Sequence, residues 1–175
     1  DLKRVTPEHR RIAKAVNFGI AYGMGAFGLS ENLSISVEEA NDIIKKYFSR
    51  FPGIRDYMEN TIELAKKQGY VETIFGRRRY LDELKSKNAN IRKFGERAAI
   101  NAPMQGTASD IVKKAMLEVD KALPDLMILQ VHDELVLEVS MDEVKDIALQ
   151  TKKIMENIVK LKVPLKVNVA IGTDW

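Results

Sequence analysis

Apolar residues recur at helical spacing through most of the first half of the chain. Ile12, Val16, Gly19 and Ile20 gather on one side of a helix that Thr6-Pro7-Glu8 is suited to open. Thr6 caps, Pro7 fits the first helical position and Glu8 faces the positive end of the helix dipole. The helix should run to about Tyr22, where Gly23 and Gly25 release it, and a short helix should follow over Phe27 to Leu33. Ser36-Val37-Glu38-Glu39 is a capping box, and Ala40, Ile43, Ile44, Tyr47 and Phe48 share the inner side of the helix it opens. That helix should end before Phe51-Pro52-Gly53, and another should span roughly Ile54 to Gln68 and stop at Gly69.

The texture then changes. Tyr70 to Phe75 alternates enough for a short strand or hairpin arm, and Gly76 introduces Arg77-Arg78-Arg79-Tyr80. Lys85 to Asn90 reads as a polar loop, and a long helix is expected over about Ile91 to Ala122, interrupted or kinked by Pro103. Leu126 to Val131 and Leu135 to Val139 are β-branched runs flanking His132-Asp133-Glu134, the pattern of a strand, tight turn and strand. Ser140-Met141-Asp142-Glu143 reads as a second capping box, for a helix to about Val159 with Val144, Ile147, Ala148, Thr151, Ile154, Met155 and Ile158 inward. Pro164 should precede a last strand, about Leu165 to Ile171, and Trp175 should pack the chain end. A helical first half and a mixed second half predict an α+β fold of two lobes meeting near Gly76 to Asn90.

With 175 residues, 30% charged and 45% hydrophobic, the chain is globular in composition and long enough to bury a core. A net charge of +3 does not by itself require a polyanionic partner. Local clustering changes that picture: from Arg77 to Arg97 there are eight cations (Arg77, Arg78, Arg79, Lys85, Lys87, Arg92, Lys93, Arg97) against Asp82, Glu83 and Glu96, a patch suited to a phosphate backbone. The absence of cysteine excludes disulfides and thiolate metal sites and fits a reducing compartment. No apolar run approaches the ~20 residues that span a membrane. A chain that starts at Asp1, only a few residues before a helix, is expected to be a piece of a longer polypeptide.

Candidate chemistry concentrates on three stretches. In the first helix, residues four apart drift only about 40° per step, so Arg10, Lys14, Phe18 and Tyr22 form one stripe opposite the apolar side. Its rise of roughly 18 Å is about the reach of a nucleoside triphosphate. Cations near the N-terminal end suit phosphates, and rings further along suit a sugar and base. A solvated basic face with core aromatics is the alternative. The row Arg97, Asn101 and Gln105 offers long polar side chains at four-residue spacing, suited to minor-groove acceptors that vary little with sequence, or else forms a solvated face around Pro103. Asp133 and Glu134 at a hairpin tip suit a hard divalent cation, or else form a plain polar turn. Arg77 and Arg78 would contact phosphates or make salt bridges to neighbouring helices. Ser36 and Ser140 are read as structural.

These stretches, in this order, resemble family A DNA polymerases, the bacterial DNA polymerase I group. Arg10-x-x-x-Lys14 with Asn17-Phe18-Gly19 and Tyr22-Gly23 is similar to the family's nucleotide-binding fingers helix. Glu96 to Ala108 resembles its glutamine-containing palm helix, Gln130 to Glu134 its palm carboxylate motif, and Gly76 to Tyr80 its arginine-rich turn. The resemblance covers essentially all 175 residues. It implies a fragment of a right-hand polymerase: a helical fingers-like lobe over residues 1–88, and over residues 89–175 part of a palm with a small antiparallel sheet. It implies that Arg10, Lys14, Phe18 and Tyr22 bind the dNTP, with Arg11 in support. Arg77, Arg78, Arg97, Asn101, Gln105 and His132 would contact primer-template DNA, and Asp133, Glu134 and Lys14 would be catalytic. Two Mg²⁺ ions would be bound by Asp133 and shared with an upstream aspartate absent from this chain, so that the fragment alone would not extend primers. The remainder of the polymerase would be a partner, in a bacterial cytoplasmic, nucleoid-associated setting. Smaller departures, such as Asp82 where a proline is commoner, do not touch this chemistry. Two other classes fit parts of the pattern: a noncatalytic nucleic-acid binding module, and a metal-dependent phosphohydrolase.

Overall fold

The computed structural model describes residues 4–173, so Trp175 lies outside the described residues. The chain divides into two compact units, Asp1–Met104 and Gln105–Trp175. The elements run α1 (Pro7–Ala21), α2 (Ala26–Leu33), α3 (Val37–Arg50), α4 (Pro52–Gln68), β1 (Tyr70–Glu72), β2 (Arg78–Tyr80), a 3-10 turn (Asp82–Lys85), α5 (Ala89–Ala122), β3 (Met127–Val131), β4 (Glu134–Leu137) and α6 (Val144–Glu156). The fold is α+β, with helices predominating over two separate two-stranded antiparallel sheets.

The first unit follows its local signals closely. The Thr6 hydroxyl accepts from the His9 backbone N–H while the Thr6 N–H donates to the His9 ring, so α1 opens with a reciprocal cap. Ser36 and Glu39 do the same for α3. Pro52 occupies the first helical position of α4, so that helix starts two residues before Ile54 and a single residue, Phe51, separates it from α3. Gly69 ends α4 at φ 84°, a conformation that costs a residue without Cβ little. The hairpin is shorter than expected: β1 stops at Glu72, and Glu72 pairs with Arg78 in the register Tyr70↔Tyr80, Val71↔Arg79. Ala65, Val71, Leu81, Leu84, Ala98 and Ala99 form a buried cluster that seats α4 and this hairpin on the first half of α5.

Pro103 does not interrupt α5, which is one helix of 34 residues. In the second unit, β3 and β4 pair antiparallel with Val131↔Glu134, leaving His132 and Asp133 as a two-residue turn. His132 takes φ 52° there, the positive φ that tight hairpin turns demand. Three expectations fail in this unit. Ser140 does not cap α6: its hydroxyl lies 2.6 Å from the Glu143 carboxylate, the Glu143 N–H goes to the Ser140 carbonyl, and the helix begins only at Val144. With the Glu143 N–H spent on the Ser140 carbonyl, the Ser140 hydroxyl is left without the backbone donor that Ser36 receives from Glu39, and the segment closes a turn instead of opening a helix. The helix also ends at Glu156, not Val159. Residues 165–171 form no strand, although they alternate, because no strand among the described residues pairs with them and the Val167 N–H donates to Glu156 Oε1 at 3.0 Å. Alternation predicts a strand's faces; a ladder needs a neighbour.

Candidate nucleotide and nucleic-acid surfaces

The α1 ridge forms as its spacing requires. Arg10, Lys14 and Phe18 are exposed, with Phe18 at 56% and Tyr22 at 37%, while Gly19 and Ile20 are buried on the other side. Ile12 remains exposed, so only the C-terminal half of the apolar face is docked. The Phe18 and Tyr22 rings lie 6.2 Å apart with planes 23° from parallel, a flat surface continuous along the helix. Arg11 is held by Glu8 at 2.7 Å. Hydrogen bonding to Arg11 is the main reason that the Glu8 carboxyl titrates below its ordinary range. Arg10 and Lys14 form no ion pair among the described residues and keep their charges available.

Tyr22 ends α1 and Gly23 follows at φ 79°, pressed so close to α5 that an added Cβ would lie 3.2 Å from Arg97 Cγ and 3.4 Å from Ile100 Cδ1. Two motifs far apart in sequence therefore meet inside the first unit: the aromatic end of the α1 ridge adjoins the turn of α5 that carries Arg97 and Asn101. Arg97 is exposed. Asn101 is half-buried, and its Oδ1 is shielded from solvent without a hydrogen-bond partner. Gln105 is exposed four residues further along the same helix. Glu96, which precedes this row, is bound to Lys66 of α4 at 2.6 Å.

The arginine-rich turn separates its members. Arg78 reaches Glu72 across the hairpin at 2.7 Å and lies 4.4 Å from the Tyr70 ring centre, so its ion pair is with a strand neighbour and not with a helix. Arg77 is exposed beside the turn at Gly76. In the second unit His132, Asp133 and Glu134 are all exposed at the β3–β4 tip, where the Gln130 amide donates to the His132 carbonyl. No group of three acidic or histidine side chains suited to a metal occurs among the described residues. A divalent cation of the Mg²⁺ type is commonly held by one or two carboxylates with substrate oxygens completing the shell, and an exposed Asp133 on a tight turn fits such a partial site.

Tyr57 of α4 carries no sequence signal, yet its hydroxyl donates to the Ile100 carbonyl at 3.2 Å. The contact joins residues 43 apart in the chain, which no local pattern encodes.

The sequence profile of DNA polymerase family A matches residues 1–175. The chain belongs to DNA polymerase family A. DNA polymerase I of Bacillus caldotenax is 48% identical over 98% of this chain and 20% of its own length. That of Rhizobium leguminosarum is 50% identical over 96% of this chain and 18% of its own. This family A chain thus spans about a fifth of the length of the curated relatives it matches. A solved relative, the POL domain of Pol1 from M. smegmatis in complex with DNA primer-template and dNTP, is 47% identical and superposes with a TM-score of 0.90 over 95% of this chain and 30% of that one. No helix of the described residues is long and apolar enough to cross a membrane.

Proposed function

We propose that this family A chain carries the nucleotide-binding and primer-template surfaces of a template-directed DNA polymerase and acts as part of a longer protein. The observation that supports this best is the exposed Arg10, Lys14, Phe18, Tyr22 ridge, whose aromatic end packs through Gly23 onto the Arg97–Asn101 turn of α5. Residues 1–88 would serve as a fingers-like lobe and residues 89–175 as palm. Arg10 and Lys14 bind the triphosphate, Phe18 stacks on the sugar and base, and Tyr22 lies at the template side of the new pair. Asn101 and Gln105 contact the minor groove, where donors find acceptors at every base pair. Arg77, Arg78 and Arg97 contact the backbone, Arg78 from a position set by Glu72, and His132 sits by the primer terminus.

In the reaction the primer 3′ oxygen attacks the α-phosphorus in line. The new P–O bond forms as the bond to pyrophosphate breaks, and the hydroxyl proton leaves to water. Lys14 and Arg10 offset the charge that gathers on the departing pyrophosphate. Asp133, with Glu134 assisting, would hold Mg²⁺, and an acidic residue outside residues 1–175 would complete the site. Mg²⁺ held there would supply charge stabilisation to the transfer.

Primer extension by the full protein with a primed template, Mg²⁺ and dNTPs tests this reading. Asp133→Ala should abolish extension while leaving DNA binding intact. Unchanged extension would favour a noncatalytic nucleic-acid binding module. Residues 1–175 alone should bind DNA weakly and extend nothing. Phosphate release from nucleotides without dependence on a template would favour a metal-dependent phosphohydrolase instead.

A further inference from the structure

We propose that Tyr57 is a positioning residue for DNA binding: its hydroxyl holds the Ile100 carbonyl at the turn of α5 that Pro103 weakens, and so fixes the backbone that carries Asn101. The inference rests on the reading of Asn101 as a primer-template contact.

Pro103 has no N–H, so the carbonyl of Ala99 loses its helical donor, and the proline ring pushes against that same carbonyl. The turn from Ala99 to Pro103 therefore lacks one of the hydrogen bonds that restrain the interior of α5. It nevertheless carries Asn101, whose Oδ1 has no hydrogen-bond partner to orient it. The direction of that side chain thus depends on the backbone beneath it. Beside the packing of Ala99 and Ala102 on the buried cluster of α4 and the hairpin, two further outside contacts restrain the turn, and both converge on Ile100, which is 2% exposed. Gly23, at the end of α1, packs on its side chain, and Tyr57, from α4, donates to its carbonyl at 3.2 Å. Burial raises the pKa of the Tyr57 phenol, opposed in part by its hydrogen bond with Thr61, so the donor form persists at neutral pH. A phenylalanine would fill the same space and lose the donor to Ile100 together with the local hydrogen bond to Thr61, which lies one turn away on the same helix.

The test uses the full protein and a labelled primer-template duplex. Tyr57→Phe should weaken DNA affinity roughly three- to tenfold, the span expected for one hydrogen bond, with the KM for dNTP and the unfolding midpoint little changed. In an Asn101→Ala background the same change should have no further effect, since both act through one contact. Pro103→Ala, which restores the missing N–H, should recover most of the affinity lost in Tyr57→Phe. Wild-type DNA affinity in Tyr57→Phe, or a loss that adds in full to that of Asn101→Ala, would overturn the inference while leaving the polymerase reading standing. An Asn101→Ala protein that binds DNA like the wild type would overturn both the role given to Asn101 and this inference.

Discussion

Lys14 is the residue on which charge and geometry agree most directly. It is exposed, free of ion pairs among the described residues, one turn from Arg10 and one turn from Phe18. Lys14→Ala should lower kcat/KM for dNTP by about 10² to 10³, the scale of losing one preorganised charge at a developing anion, with DNA affinity nearly unchanged. Steady-state incorporation against a binding titration separates the two. Gly23 presents a backbone problem instead. At φ 79° an alanine is strained, and its Cβ would lie 3.2 Å from Arg97 Cγ. Gly23→Ala should cost about 1 to 3 kcal/mol in a denaturant melt. The exposed ridge was legible from spacing alone because a helix presents every fourth residue on one side. Tyr57 was not, because nothing near it in the chain marks its partner.

At the scale of elements, the caps carry testable stability. The Ser36 backbone N–H, then its hydroxyl, hydrogen-bonds the Glu39 carboxylate and lowers its pKa below the ordinary range. A carboxyl with a folded-state pKa below its unfolded one adds stability that is complete above the unfolded value and is lost as pH falls through the folded value. Thermal midpoints should therefore drop on acidification below the normal carboxylate range. Ser36→Ala should cost about 1 kcal/mol near neutrality and flatten that acid dependence. The same four-residue spacing misleads at Ser140 and Glu143, where side chain meets side chain and α6 waits until Val144. A capping box needs its hydroxyl to accept from the backbone, and sequence does not say whether the N–H three residues on reaches the serine hydroxyl, as from Glu39, or the serine carbonyl, as from Glu143. The limits of α1, α2 and α3 were legible from local signals, since caps, prolines and glycines act within a turn.

At the scale of the whole molecule, the basic stretch from Arg77 to Arg97 should make DNA binding fall steeply with salt. Arg77→Ala and Arg78→Ala should each reduce the slope of log affinity against log salt, by up to about 1, with the Glu72 carboxylate at 2.7 Å offsetting part of the Arg78 charge. Titrations between low and physiological salt measure both. The order of the helices, the β3–β4 hairpin with its acidic tip, the class of fold and the charge ridge of α1 were determined by sequence alone, because periodicity, caps and turn chemistry act over a few residues. Tertiary structure decided the rest. It placed Gly23 against Arg97 and Ile100, gave Arg78 to Glu72, tied Tyr57 to the turn before Pro103, and left residues 165–171 without a ladder. Each of those outcomes turns on which distant segment occupies the space beside a residue, and that is a property of packing, which local pattern does not carry.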